Sequence, residues 1–467
     1  MKKHLIIGVL VLCCASMASA AIVTNFNQSA LYLRLLSRNA STDLDAVYYN
    51  PAGLTQLKDG FHIALHNQTI AQEKTVVNSF ILLNNSKYIG KVNVPFYPNF
   101  YAVYKKGALA LSFGFGPNAG GGSAEYGTGL PSFETQIASI PALLSSGGMP
   151  TTKYSANIFF KGESIFYGFQ ANISYAFNDM FSAAVGFRYI YAVNTYEGYI
   201  KSIQINPTYP ALGWTGQMLG APTVFNTLAA LYPPGHPNNS YYSALAVSTG
   251  DKAVDAEQTG SGFTPILSLH LRPIAGLNIS ARYEFNTKLE LTNKTTTDDV
   301  GMFPDGLKLR SDIPAILSFG VEYALMPQLR ASVSFNYTFD KDARWEERDT
   351  QGIIHNRAEK VDSNTYDLAF SLEYDVTKSI SVSAGYLRTK YGLSADYYED
   401  SSFELSSNAF GVGGRLRLGE KLDIDLGGFL VSYQDFTKTN TYPSIGAFPE
   451  KYQQTTIGIS VGLGYHF

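Results

Sequence analysis

Cysteine is nearly absent from this chain, and its two copies fall where they would not be kept. Cys13 and Cys14 lie in an N-terminal segment with the marks of an export signal. Lys2 and Lys3 make a basic start, LIIGVLVLCCA (Leu5–Ala15) an apolar middle, and Ala18-Ser19-Ala20 a small-residue cleavage site. Residues 1–20 are expected to leave as a signal peptide, taking with them any disulfide framework or thiolate metal site. Bulky Leu12 before Cys13, and a cysteine before Cys14, speak against a lipoprotein. Charge is sparse as well, with 35 basic residues against 38 acidic ones. No basic tail or stripe is present, which argues against nucleic acid as a partner. After the signal, no apolar run approaches the ~18 residues of a membrane helix. Tryptophan occurs only twice, yet there are 29 Phe, 32 Tyr and 42 Gly. An exported chain with this balance is a secreted β-protein or a transmembrane β-barrel.

Periodicity separates the two. Tyr167, Phe169, Ala171, Ile173, Tyr175 and Phe177 alternate with polar residues. After the turn Asn178-Asp179 the pattern resumes at Phe181, Ala183, Val185, Phe187, Tyr189, Tyr191 and Val193. Soluble strands average ~5–6 residues, whereas a tilted strand crossing a bilayer needs ~9–11. Such segments predict about fourteen strands, near 61–70, 92–104, 107–116, 155–177, 180–196, 263–272, 277–291, 309–325, 328–340, 365–376, 379–391, 403–418, 421–435 and 453–467. Short turns and long connections alternate along the chain, as in outer-membrane barrels with an even strand count. The fold class expected is therefore all-β: a transmembrane antiparallel β-barrel ending on an outward-facing Phe467. Its polar face carries mixed charge, including Arg188, Arg282, Glu284, Asp367, Glu373, Arg415 and Asp425. Apolar breaks fall at Ile190, Ile266, Ile316, Phe429 and Val431. Such a lining would wet a pore or hold a plug.

Residues 25–58 have no strand pattern. Ser29–Arg38 fits a short helix and Ser41–Val47 a second one with a Ser or Thr cap. Asn50-Pro51 then breaks the helix, because proline disfavours the α conformation in the residue before it. A unit of this size is too small to fold alone, and so much Leu, Tyr and Val is not the composition of a disordered leader. The domain plan expected is a signal peptide (1–20), an N-terminal helical hatch plugging the lumen (21–58) and the barrel with its long outer loops (59–467).

These residues also carry a resemblance. Asn50-Pro51-Ala52-Gly53 in YYNPAGL, TyrProAsnPhe at 97–100, and LALSFGFGPNAGGGSAEYG at 109–127 resemble the FadL/TodX family of outer-membrane transporters for long-chain fatty acids and other hydrocarbons. The resemblance spans the mature chain, while LYLRLLSRNASTDLDA departs from the Gly-rich segment common in the family. It implies a hatch that rearranges around Asn50, Pro51, Ala52 and Gly53, and a lateral opening where the third strand is interrupted. The residues matching that interruption are Gly114, Gly116, Pro117, Asn118, Gly120, Gly121 and Gly122. Independently, proline cannot donate to a ladder and runs of glycine weaken a strand. From spacing alone, an ordinary outer loop beginning near Phe115 reads equally well. In the long connection 197–262, Trp214, Leu219, Phe225 and Leu228 suggest a packed cap. The resemblance implies an outer ligand groove there; a helix packing only on neighbouring loops is the alternative.

Other constellations do not hold together. His62 and His66 lie about 13 Å apart along one strand face, too far to share an ion, and read as lumen residues touching the hatch. His270, His355 and His466 have no partner at ligand spacing, so no metal and no cofactor is expected. Without a G-x-S-x-G element or a mature cysteine, an enzyme is not expected. The function expected is passive transport of hydrophobic solutes across the bacterial outer membrane by a monomer in contact with outer-membrane lipid and lipopolysaccharide. The alternatives are a general diffusion porin for polar solutes, or a surface adhesin or structural barrel.

Overall fold

A computed structural model describes residues 26–349, 351–442 and 446–467. The signal segment 1–20 and the first hatch residues, 21–25, lie outside the described residues. The chain closes into an antiparallel barrel of fourteen strands. In order they are β1 (Gly60–Asn78), β2 (Lys87–Lys106), β3 (Leu109–Tyr126), β4 (Tyr154–Ala176), β5 (Phe181–Ile205) and β6 (Lys252–Leu271). Then come β7 (Leu277–Glu284, continued by Glu290–Asp298), β8 (Lys308–Arg310, continued by Ile316–Met326) and β9 (Leu329–Thr338). The circuit ends with β10 (Val361–Asp375), β11 (Ile380–Leu393), β12 (Ser407–Leu418), β13 (Leu422–Tyr433, continued by Phe436–Tyr442) and β14 (Gly446–His466). Each pairs with its sequence neighbour, and β14 returns to β1 from His62↔His466 to Asn78↔Glu450. Closure leaves no free edge, which the hydrocarbon could not satisfy.

The alternation does what period two requires. Leu65, Val185, Leu426 and Ile459 point outward, with Ile459 64% exposed, while Gln170, Asn172, Arg188 and Asp425 point inward and are buried. The outward set is an apolar belt with aromatic residues at the short-turn rim, where Phe467 packs on Phe61 at 5.6 Å. Such a belt against a polar interior is the pattern of outer-membrane barrels. None of the described helices is long and apolar enough to cross a membrane.

Several boundaries differ from the sequence reading. β1, β3, β6 and β14 run well beyond 70, 116, 263 and 453 on the long-loop side. There Thr, Gln, Lys and Glu continue the ladder outside the apolar belt, and a search for alternating apolar residues stops at the belt's edge. The helix read at 41–47 is instead α2 (Ala46–Tyr49), because the Ser41 hydroxyl, while accepting the Asp43 amide at 3.2 Å, donates to Asp45 at 2.7 Å and holds 41–45 in a turn ahead of the helix. β7 and β8 are both interrupted, β8 at Ile313-Pro314, where proline removes a ladder donor. His466 meets His62 across the β1–β14 seam with their Nδ1 atoms 2.8 Å apart, a partner the strand reading did not place beside it.

Beyond the belt, helices α3 (Pro131–Ala138), α4 (Ile140–Ser146), α5 (Ala221–Ala229) and α6 (Pro237–Ser248) build a cap on the extended strands. Its core joins Phe133, Ile137 and Ile140 to Val224, Phe225 and Leu228.

Candidate functional site

Residues 26–58 sit inside the barrel at its short-turn end. α1 (Ala30–Leu35) begins where the Ser29 hydroxyl accepts from the Tyr32 amide at 3.1 Å. It ends at Leu36, in the left-handed region at φ 58, an uncommon state for a residue with a Cβ. Leu36 is held there by packing among Ala409 and Val431. The barrel makes room for the hatch with glycine on its inner face. A Cβ at Gly385 would lie 2.0 Å from the Leu35 carbonyl oxygen, and one at Gly320 would lie 2.4 Å from the Ala40 amide.

Charge fixes the hatch to the wall. Arg34, wholly buried, pairs with Glu373 and lies 3.2 Å from Asp425. Asp425 also takes Arg415 through two contacts, at 2.9 and 3.1 Å. Arg415 reaches Asp43 at 2.9 Å, and Asp43 meets Arg38 at 2.7 Å. Arg38 in turn grips Asp45 through Nε and Nη2 at 2.9 and 2.7 Å. Alternating signs at hydrogen-bonding distance keep every charge compensated away from water. Across the lumen, Arg188 and Arg282 lie over the Tyr48 ring at 4.7 and 4.9 Å, with Glu284 2.7 Å from Arg188.

The Asn-Pro-Ala-Gly turn is bonded to three strands. Ser174 of β4 donates to the Pro51 carbonyl at 2.7 Å, and Ser182 of β5 donates to the Ala52 carbonyl at 2.8 Å. The Asn50 amide reaches the Ser41 carbonyl at 2.9 Å and His270 Nδ1 of β6 at 3.0 Å. Gly53 passes so close that a Cβ would lie 2.4 Å from Asn50 Nδ2. Pro51 opens a short 3-10 turn, Pro51–Gln56.

Above the hatch lies a cavity of about 440 Å³, floored by Phe26, Tyr32 and Leu36 and walled by apolar residues such as Phe166, Leu291, Phe429 and Val431. Below it is a polar hollow of about 340 Å³ lined by Arg38, Asp43, Arg330 and Arg417. Leu36 faces the upper space and Leu35 the lower one.

The β2–β3 ladder breaks beside the upper cavity. Pairing runs from Lys106↔Leu109 to Phe100↔Phe115, stops, and resumes at Val92↔Ala124. Within this gap, Pro95 and Pro98 on β2 and Pro117 on β3 carry no N–H, so fewer donors are left to satisfy in lipid. Gly116, Pro117, Asn118, Gly120, Gly121 and Gly122 all fall inside it. Gly114 lies in the paired part, opposite Tyr101, where it admits Val47 of the hatch. Gly120, at φ +67, bends the strand, and the pairing to β4 shifts register between Gly120 and Gly122. Asn118 turns into the space over Gly168, where a Cβ would sit 1.6 Å from its Oδ1. A Cβ at Gly122 would lie 2.6 and 2.8 Å from Val92 and Val94, both of which line the cavity. One latch crosses the gap: Tyr97 of β2 donates to the Pro117 carbonyl at 2.6 Å, and Gln28 of the hatch donates to the same oxygen at 2.7 Å.

Trp214, Phe225 and Leu228 are buried in the cap, with Leu219 half-buried beside them. A small apolar crevice of about 30 Å³ lies between Phe133, Phe160, Tyr199, Met302 and Phe303, of which Phe133, Phe160 and Phe303 are buried. Sequence reasoning missed the inner-face glycines and the β2 edge of the gap. The two prolines of VPFYPNF were a signal that could have marked that edge.

No protein-family model matches the chain, and no curated protein matches it by sequence. Solved structures do. A Pseudomonas aeruginosa FadL homologue aligns with a TM-score of 0.65 at 12% identity, over 96% of this chain and all of that one. The P. putida toluene transporter TodX aligns at 0.56 and 14% identity, over 91% and 95% of the two chains. The Ralstonia pickettii toluene transporter TbuX aligns at 0.53 and 15%, over 91% and 94%. At these identities the likeness is one of fold: this chain has the barrel architecture of FadL-type outer-membrane transporters.

Proposed function

We propose that the protein carries hydrophobic solutes passively through the outer membrane and delivers them sideways into the bilayer between β2 and β3. The observation that carries this reading is the break in the β2–β3 ladder, which adjoins an apolar-walled cavity whose floor is the hatch. A gap in a barrel wall leaves backbone groups facing lipid at several kcal/mol each, and an exit for an apolar molecule is a reason to retain one. The fold neighbours named as a FadL homologue and as toluene transporters support hydrophobic solutes as the class carried.

In this reading a solute first meets the apolar outer cap around Trp214, Leu219, Phe225 and Leu228 and then partitions into the cavity, its transfer driven by burial of apolar area. Gln28 binds both the hatch and the rim of the gap through the Pro117 carbonyl. A shift of the hatch around Asn50-Pro51-Ala52 would thus loosen the latch and widen the exit. Transfer is downhill and needs no nucleotide. A polar diffusion pore is opposed by the buried ion pairs that hold the hatch in the lumen.

The test is to close the gap covalently. Val94→Cys with Gly122→Cys places two thiols at adjoining points across it, in a mature chain expected to have no other cysteine. Oxidation is expected to cut uptake of a labelled hydrophobic solute into cells at least fivefold, and reduction to restore it. Equal uptake by oxidised and reduced protein would overturn lateral exit.

A further inference from the structure

The upper cavity has a polar wall as well as an apolar one, and its charges are not equally matched. Lys74 Nζ lies 3.5 Å from Glu404 and 4.9 Å from the centre of the Phe403 ring. Arg310 is held by Asp312 through contacts of 2.7 to 2.9 Å. Glu346 takes Arg344 at 2.7 Å and the Arg310 amide at 2.8 Å. Asp367 has no such partner. It sits on β10, lines the cavity and is 5% exposed. Its one hydrogen bond is from the Thr389 hydroxyl, at 2.5 Å to Oδ1. No cation pairs with it among the described residues.

A buried carboxyl group without a cation is costly, and this one faces a space bounded by Leu387, Ala409, Phe429 and Val431. We propose that Asp367 is the polar anchor of the solute site. It selects a molecule whose apolar body ends in a hydrogen-bond donor, such as an alcohol, a phenol or a protonated amine, over one ending in a carboxylate. The inference rests on the transport reading above and narrows its solute. A donor supplies the partner that Asp367 lacks, and hydrogen bonds to an ionised group are the strong ones. A carboxylate would bring a second negative charge into a cavity whose two cations are already neutralised by Glu404 and Asp312, and like charges repel most where water is excluded. Tyr32 of α1 and Leu36 just after it form part of the floor of the same cavity, so an anchored solute rests on the hatch itself.

Four probes sharing one ring test this by calorimetric titration of the full-length protein in detergent: toluene, benzyl alcohol, benzylamine and benzoate. Benzyl alcohol and protonated benzylamine are expected to bind at least tenfold more tightly than benzoate. Asp367→Asn keeps the shape and the acceptor for Thr389, and is expected to weaken benzylamine at least tenfold while leaving toluene unchanged. Thr389→Val, which removes only the hydroxyl contact, is expected to keep the order of head groups. Benzoate binding as tightly as benzylamine, or an order unmoved by Asp367→Asn, would overturn the anchor. Toluene bound with no head-group preference sinks the anchor alone; no binding by any probe sinks the transport reading and the anchor together.

Discussion

Asp400 shows how much one buried carboxyl group can decide in the outer cap. It accepts the Ser132 amide at 2.7 Å, tying the loop after β11 to the start of α3. Burial, and secondarily the charge of Glu450, push its pKa up from 3.8 to about 7 against the pull of that hydrogen bond. The sign of the linkage follows. Between about pH 4 and 7 the unfolded chain has lost this proton and the folded cap keeps it, so the folded state binds more protons and stability falls as pH rises. Protection of the α3 amides from hydrogen exchange should therefore decline across that window. With Asp400→Asn the decline should flatten, and a slope unchanged by the substitution would count against this account.

Among the elements, α1 is the one whose sequence is hardest to explain without its surroundings. ALYLRL would be a weak helix in water: it is only 6 residues long, and isolated helices shorter than ~12–15 residues are marginal. Its stability comes from the wall, through Arg34 to Glu373, Ser383 and Asp425. Arg34→Met would take one partner from half-buried Glu373, which keeps Arg330, and one from buried Asp425, which keeps Arg415, so the loss should fall below the about 3–5 kcal/mol of a buried pair broken outright. The hatch should then open more often while the barrel ladder stays paired. Hydrogen exchange should rise in residues 30–36 and stay low in β12 and β13. Equal loosening of both would place the hatch and barrel in one cooperative unit. The same logic explains β3, whose glycines are legible as a weak strand, while the choice between a loop and a gap depends on where β2 stands.

For the whole molecule, the consequence of a filled lumen is electrical. In planar bilayers the intact protein should show no large, steady conductance, and liposomes carrying it should not swell in sugars. Deleting residues 26–58 removes Arg34 and Asp43 but leaves the wall's own pairs Arg188–Glu284, Arg330–Asp375 and Arg415–Asp425 in place. The barrel should stay closed and conduct ions through a polar, water-filled bore. Conductance equal in the two proteins would mean that the hatch does not seal the lumen.

Period-two alternation, strand length and the alternating lengths of connections were enough to read a fourteen-strand barrel from the chain, including which face of β4 and β5 meets lipid. Those features are local: each depends on residues two apart or on a single turn, and water and lipid impose them directly. The break of the helix at Asn50-Pro51 was legible for a similar reason, since proline disfavours the α conformation before it wherever it is placed. What the tertiary structure decided is which distant groups meet. Arg34 and Glu373, Gln28 and Pro117, or Gly385 and Leu35 are joined only by closure of the barrel around its first residues. Asp367 was one inward charge among many in the sequence. Its lack of a cation among the described residues became visible only once Lys74 and Arg310 of the same cavity stood paired with Glu404 and Asp312. Compensation of charge and the continuity of a ladder are properties of pairs far apart in the chain, and no pattern along one strand records them.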